Sequence, residues 1–450
     1  MRAEDNELLV RVGPGTAMGE FMRHYWLPVA KSSELEAGGA PVRMRILGEN
    51  MLAFRSPEGK AGVIDHRCAH RCASLFYGRN EAGGIRCVYH GWKFDVNGQC
   101  IDMPSEPPET QFAGKVRLRA AAVTEKYGIV WAYLGKARPA PAFPKFDLDH
   151  VDEKDLEVTF LMRECNWLQG LEADIDTVHV GFLHMGGFGE EYFEKDSVNY
   201  YRQTRLAPKY EAVETHYGTI YSAFRPAGEG ETYHRVGQMM FPSFTMAAQD
   251  PLGTIKLRSW VPLDDDHCML VVIDGPRPPP MAVDKKGQKL PGLFGDGEFL
   301  PNTSDWLGRF RMAQNPSNDH MLSREAQKTV NFTGIMGGRV QDQAIVESMG
   351  PIVDRTGENL GTSDQMIIRT RRRLLRAVRE MRDKATPPPG ADNPLMYSSV
   401  RSGFVTLPAE VDWLEKINSL RREWGGTAVE PISRSGPAPT AEGGARSVSA

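Results

Sequence analysis

Between residues 42 and 135 apolar side chains come in short bursts separated by turn residues. Segments 42–47, 51–55, 63–65 and 129–134 each predict a short strand. Gly83-Gly84, and Asn97-Gly98 within Asp95-Val96-Asn97-Gly98-Gln99, supply the turns, the second being a favourable hairpin dipeptide. An all-β module is the expectation here. Further along the period changes. Residues 166–182 read as a helix, and alternating segments between about 197 and 273 read as strands, 200–205 among them. Ile367, Leu374, Leu375, Val378 and Met381 fall on one stripe of a long helix whose start is signalled by Thr362-Ser363-Asp364. The chain therefore divides into an all-β domain over 1–138, with a helical segment at its N-terminus, and an α+β domain over 139–426 with an antiparallel sheet and helices. Pro139-Ala140-Pro141 and Pro144 punctuate the boundary. Residues 275–305, rich in Pro and Gly, are expected to form a surface excursion or lid, and 427–450 a disordered tail. No internal repeat is found.

Composition narrows the classes. The chain has 450 residues, 41% hydrophobic and 25% charged, enough for two or three folded domains and too apolar for wholesale disorder. A net charge of −4 gives no global basic footprint for nucleic acid or anionic lipid. No segment reaches the roughly 20 apolar residues of a spanning helix, and Met1-Arg2-Ala3-Glu4-Asp5-Asn6-Glu7 is too acidic for a signal peptide. A cytoplasmic location is expected. Of six cysteines, Cys68, Cys72, Cys87 and Cys100 are crowded together while Cys165 and Cys268 lie far downstream. In such a compartment that crowding favours metal over disulfides.

The strongest chemistry lies in Cys68-Ala69-His70, then sixteen residues, then Cys87-Val88-Tyr89-His90. Two bites, each with one Cys and one His, suit a [2Fe–2S] unit with thiolates on one iron and imidazoles on the other. The alternative is a structural zinc ion, whose usual spacing pairs the two cysteines in one bite and the two histidines in the other. A second constellation, Asp176-Thr177-Val178-His179 followed by His184, offers two histidines near a carboxylate, as in the facial triad of non-haem Fe(II). On a regular helix Asp176 and His179 share a face, but five residues separate His179 from His184, about 140° of rotation. The helix must end or distort between them, and Gly181 is the expected place. A third ligand must come from a distant carboxylate, since Glu172 and Asp174 lie on the same short helix. Asp319, Glu325, Asp342, Glu347 and Asp354 are the candidates.

The run from Cys68-Ala69-His70-Arg71 to Cys87-Val88-Tyr89-His90-Gly91-Trp92 resembles the Rieske motif of ring-hydroxylating oxygenases. The likeness extends to Arg23-His24-Tyr25-Trp26-Leu27-Pro28, Asn166-Trp167-Leu168-Gln169-Gly170-Leu171-Glu172 and Glu347-Ser348-Met349-Gly350-Pro351. Gln341-Asp342-Gln343-Ala344-Ile345-Val346-Glu347-Ser348 is similar to the ligand-bearing helix of the phthalate dioxygenase group, which points to Asp342, with Glu347 its rival. By this resemblance domain 1–138 is a Rieske domain, with Cys68, His70, Cys87 and His90 as cluster ligands. His179, His184 and Asp342 hold the catalytic iron, and Asp176 bridges to a histidine of a neighbouring subunit's cluster. Rieske proteins of the respiratory chain carry an extra disulfide between the bites. Tyr89 stands where one half would be, so Cys72 is read as a small buried side chain.

The resemblance implies a terminal oxygenase that uses O2 to hydroxylate an aromatic substrate, expected to be a carboxylate such as a phthalate or phenoxybenzoate. The alternatives are O-demethylation of an aryl ether or, in another class, a plain electron-transfer protein. It also implies a homotrimer or double trimer. No G-x-G-x-x-G follows a strand, so electrons must arrive from a separate protein, by resemblance an NADH-dependent flavin and iron–sulfur reductase. An anionic substrate calls for a guanidinium, and on a strand through Tyr200-Tyr201-Arg202-Gln203-Thr204-Arg205 only one arginine can face a pocket. Arg205 is the choice. Met239, Phe241, Phe244 and Trp260 are candidate apolar walls. The basic stretch from Arg369 to Arg379 reads as a solvated helix face or a docking surface.

Overall fold

The structure is a computed structural model that describes residues 1–276, 282–295 and 297–435. The expected all-β module is present. The strands Val42–Ile46, Glu49–Arg55 and Ala61–Asp65 form one antiparallel sheet, and Arg79–Glu81, Gly84–Arg86, Lys93–Phe94 and Cys100–Asp102 form a second. Between them lies a small core of its own, with Leu52, Phe54, Ile64, Leu75, Ile85 and Phe94 buried around Cys68 and Cys87. The larger core is continuous through both units, joining Met44, Ile46, Met51 and Val63 of the first sheet to Phe160, Leu171 and Val272.

The second unit is the larger. Nine antiparallel strands make its sheet, from Glu157–Arg163 at one edge through Cys268–Asp274, Lys256–Pro262, Phe244–Met246, Glu231–Met240 and Gly218–Pro226 to Lys209–Thr215 and Ser433–Ser435, with Gly403–Pro408 paired onto Glu231–Met240. The helix Gln365–Lys384 crosses Lys209–Thr215 and Gly218–Pro226, burying Met366, Leu374 and Val378 against the sheet. The N-terminal helices Ala3–Val10 and Ala17–Met22 pack on this long helix, where Arg379 pairs with Asp5; Asn6 donates to the carbonyl of Val353 at 3.1 Å.

Several expectations are corrected. Residues 200–205 are not a strand but the end of the helix Val198–Thr204, whose N-cap Ser197 accepts from the Tyr200 N–H. The arginines of the long helix are not simply a solvated face: Arg372 and Arg376 are exposed, but most of the others are paired or buried. Arg371 binds Glu172 and Glu358, Arg376 binds Glu214, Arg379 binds Asp5, and Arg373 lies buried against the Thr215 carbonyl and the Phe241 ring. Residues 427–435 belong to the fold: Val429 is buried, and its N–H donates to Asn418 Oδ1 at 2.7 Å. The rest of the expected tail, 436–450, lies outside the described residues, as do 277–281 and 296 of the expected lid. Of the four candidate wall residues, Met239, Phe241 and Phe244 are core and only Trp260 lines the large cavity. Among the described residues no helix is long and apolar enough to cross a membrane.

Candidate metal centres and catalytic pocket

The two Cys/His bites fold as matching loops. In the first, the Cys72 N–H donates to the Cys68 carbonyl at 2.9 Å; in the second, Gly91 N–H donates to Cys87 at 3.0 Å. Each closing residue is left-handed, with φ of 58° at Cys72 and 79° at Gly91. Cys72 is therefore not the expected small buried side chain. It holds the position that glycine fills in the sister loop, and its thiol is exposed.

Cys68 and Cys87 are buried, and neither forms a disulfide. The rings of His70 and His90 meet edge to face at 4.5 Å between centroids, and His70 stacks on Trp92 at 4.4 Å. His70 Nδ1 is buried without a hydrogen-bond partner. Burial pushes the Cys68 thiol up to about 11, Cys87 adding to the effect, so a metal's charge is what would hold it as thiolate. Two buried sulfurs beside two imidazoles, one with an orphaned nitrogen, fit a [2Fe–2S] cluster of mixed ligation. Tyr77, Val88 and Tyr89 stand exposed on and near these loops.

The second centre forms where a helix stops. Gly170 lets the helix Trp167–Ile175 lie flat on Trp260, since a Cβ there would stand 2.1 Å from the indole. Asp174 anchors the same contact, accepting from Trp260 Nε1 at 2.8 Å and Thr245 Oγ1 at 2.6 Å and pairing with Arg258. The helix ends at Ile175, earlier than the expected break at Gly181. Asp176 is its C-cap, in extended conformation, and its Oδ1 accepts from the Val178 N–H at 2.7 Å. The chain then makes a tight turn, His179–Gly181, that brings both histidines to one side.

Opposite stands Asp342 on the helix Gly338–Ser348. Its Oδ1 is 3.1 Å from His184 Nε2 and 3.6 Å from His179 Nε2, and one ligand atom from each residue lies within 4.8 Å of the others. Burial works to raise Asp342, yet His184 and His179 pull it down to about 2; the carboxylate is ionised and ready for a cation. Two imidazoles and one carboxylate on one side of a pocket fit a facial triad. Asp176 Oδ2 lies 3.8 Å from His179 Nδ1, the ring edge facing away from Asp342. Glu347 is not part of this centre: it faces His320, whose Nε2 is 2.7 Å from Glu347 Oε2.

These three ligands open onto a cavity of about 420 Å³. Ala173, Ala247, Ala248, Trp260, Leu270 and Val346 give it apolar walls, and described parts of the expected lid, Ala282 and Leu293 to Gly295, close one side. Arg205 is exposed and does not line it, because the helix turns that side chain outward; Arg202, three residues earlier, does. Arg202 is buried and held by Asn199 Oδ1 at 3.2 Å, the Tyr233 hydroxyl at 3.3 Å and the Gln249 carbonyl at 3.3 Å. Arg235, from the strand Glu231–Met240, joins it. Among the described residues neither guanidinium has a carboxylate within ion-pair distance, and Arg235 Nε has no partner at all. Burial, with the like charges of Arg202 and Arg225, lowers Arg235 to about 10. Arg235 was missed by sequence reasoning: no motif marks it. Ser197, a good N-cap, was the available signal that Arg202 sits on a helix.

Residues 25–121 match the family described as Rieske [2Fe-2S] domain, and residues 132–432 match LigXa C-terminal domain like. The chain is 45% identical to the 3-chlorobenzoate-3,4-dioxygenase oxygenase subunit of Comamonas testosteroni, over 91% of this chain and 96% of that one. It is 36% identical to the phthalate 4,5-dioxygenase oxygenase subunit of Pseudomonas putida, over 83% and 85%. The solved structure of dicamba monooxygenase bound to dicamba shares the fold, with a TM-score of 0.52 at 17% identity, covering 81% of this chain and 99% of that one.

Proposed function

The chain belongs to the Rieske-type aromatic ring-hydroxylating oxygenases, and on that premise we propose that it is the terminal oxygenase of a system that oxidises an aromatic carboxylate. One observation carries the substrate class. The cavity beside His179, His184 and Asp342 holds two buried guanidiniums, Arg202 and Arg235, with no carboxylate of their own among the described residues. Leaving such charges desolvated and unpaired is costly, and an anionic ligand completes them. The two relatives named above are a 3-chlorobenzoate and a phthalate dioxygenase subunit, which agrees with this reading.

Cys68, His70, Cys87 and His90 hold the cluster; His179, His184 and Asp342 hold the mononuclear Fe(II). When bound, the cluster passes single electrons and the Fe(II) provides the open positions that O2 chemistry needs. The protein's own residues do the rest. Arg202 and Arg235 fix the substrate carboxylate, and Trp260, Leu270 and Val346 hold the ring against one wall and keep water from it. Asp176, its Oδ2 3.8 Å from the far nitrogen of His179, places negative charge beside that nitrogen and favours a hydrogen on it.

A separate NADH-dependent flavin and iron–sulfur reductase supplies the electrons. The assembly is a homotrimer or double trimer in which the cluster of one subunit approaches Asp176 of the next. Exposed apolar side chains near both centres support such a contact: Tyr77, Val88 and Tyr89 at the cluster loops, and Phe182, Ile345 and Met349 on the elements that carry the iron ligands.

The test is turnover of paired substrates that differ only in charge. With reductase present, benzoate-type carboxylates should be oxidised at a kcat/KM at least about tenfold above their amide isosteres. Equal rates on both would remove the anionic-substrate reading.

A further inference from the structure

We propose that Gln341 is a positioning residue that fixes the tautomer of His184 and ties it to the wall of the pocket. The proposal rests on His184 being a metal ligand. Gln341 is fully buried, immediately before Asp342 on the helix Gly338–Ser348. Its Nε2 donates to the Ile335 carbonyl at 2.9 Å and to the Gly292 carbonyl at 3.3 Å. Both hydrogens of the amide are therefore committed to backbone oxygens, and its Oε1 must be the atom 2.8 Å from His184 Nδ1. An amide oxygen only accepts. Nδ1 of His184 thus carries the ring hydrogen, and the lone pair of Nε2 is left facing Asp342 Oδ1. With the amide reversed, two carbonyls would face an oxygen and an N–H would face the ring.

Gly292 adds the second half of the link. Its carbonyl also accepts from the Gly337 N–H at 2.8 Å, and the Leu293 carbonyl accepts from Gly338 at 3.2 Å. The segment that supplies Leu293, Phe294 and Gly295 to the cavity is in this way docked on the start of the helix that bears Asp342. One buried amide joins the pocket wall to the ligand that faces the carboxylate. Neither partner is near Gln341 in sequence.

The two functions of the amide can be separated. Gln341→Glu keeps an acceptor oxygen toward Nδ1 but loses both N–H bonds; Gln341→Leu loses all of them. The full-length, cluster-loaded protein, stripped of mononuclear metal and with its cluster oxidised and EPR-silent, is titrated with Co(II) against a chelator, and the Co(II) EPR signal is recorded. Gln341→Leu should bind Co(II) about 10- to 100-fold more weakly than wild type, with an altered signal, whereas Gln341→Glu stays within about threefold. Hydrogen exchange of residues 290–295 should rise in both. Gln341→Met, which keeps the packing length without the amide, gives the same reading if Gln341→Leu does not fold. Wild-type Co(II) affinity and signal in Gln341→Leu or Gln341→Met overturn the inference, as does an equal loss in the Leu and Glu variants, which marks a packing residue only. Wild-type protein without a one-to-one Co(II) site overturns the metal-centre reading, and the inference with it.

Discussion

His320 Nε2 lies 2.7 Å from Glu347 Oε2, and this contact turns the second carboxylate of the ligand-bearing helix away from the iron site. The other oxygen of Glu347 accepts from the Glu164 N–H at 2.9 Å, so the group is consumed by the interior. Asp342→Asn should therefore cost the protein its mononuclear iron while the cluster stays at full occupancy. Glu347→Gln should keep both metals and lower stability by about 1–3 kcal/mol. Iron analysis and thermal melts of the two variants check this pair, and loss of mononuclear iron from Glu347→Gln would reverse the assignment.

Arg235 is predicted to cost stability in order to bind substrate. It is buried, lowered to about 10 by burial and by Arg202, and unpaired at Nε. Arg235→Met should raise KM for aromatic carboxylates on the order of 10- to 100-fold, with little change for neutral analogues, and leave the melting temperature unchanged or higher. Steady-state kinetics and calorimetry read both sides. A destabilised variant with unchanged KM would make Arg235 a structural residue.

Asp176 caps a helix with one oxygen and faces His179 Nδ1 with the other. In Asp176→Asn the amide oxygen still accepts from Val178, so the turn survives while the charge is lost. Both metals should remain, and oxidation of the reduced cluster during a single turnover should slow by roughly 10- to 100-fold or more. Stopped-flow absorbance at the cluster bands measures it. Unchanged cluster oxidation would exclude Asp176 from the electron path.

Glu172 supplies the acid limb of stability. It is buried between Arg355 and Arg371, with Oε1 2.6 Å from Arg371 Nε and Oε2 2.9 Å from Arg355 Nη2. Burial works to raise its pKa, but the two arginines prevail and the net direction is down. A lowered carboxylate stabilises the fold fully above its unfolded pKa of about 4.3, and that contribution is lost as pH falls through the native value. Glu172→Gln should cost about 3–5 kcal/mol at pH 7, because two arginines lose their partner, and less at acid pH. Denaturant melts at pH 7 and below pH 4 test the sign; an equal penalty at both would refute it.

Much of this was legible in the sequence because it is local. The bites at Cys68 and Cys87 carry their own spacing, and the strands Val42–Ile46 and Glu49–Arg55 carry their own alternation. Asp342 needed the likeness of its whole helix to a known one, since a lone carboxylate has no signature. What stayed hidden depends on partners distant in the chain. The arginines from Arg369 to Arg379 looked solvated because Asp5, Glu172 and Glu214, which neutralise several of them, lie 150 or more positions away. The choice of Arg205 over Arg202 rests on a strand over 200–205, where two arginines three residues apart face opposite ways. The helix that Ser197 caps instead buries Arg202 and leaves Arg205 at the exposed C-cap. Cys72 was misread because a left-handed backbone, usually glycine's, gives no sign in a cysteine.

The central claim is that this chain, once reduced, oxidises an aromatic carboxylate with oxygen taken from O2. The most direct measurement is a single turnover without reductase: protein carrying about three irons and two sulfides per chain is reduced, mixed with a chlorobenzoate or phthalate and exposed to 18O2, and the product is weighed by mass spectrometry. The account predicts a hydroxylated carboxylate bearing 18O, formed at up to about one per active site and absent from Asp342→Asn. A fully metallated, fully reduced protein that bound the arene yet gave no labelled product would contradict it.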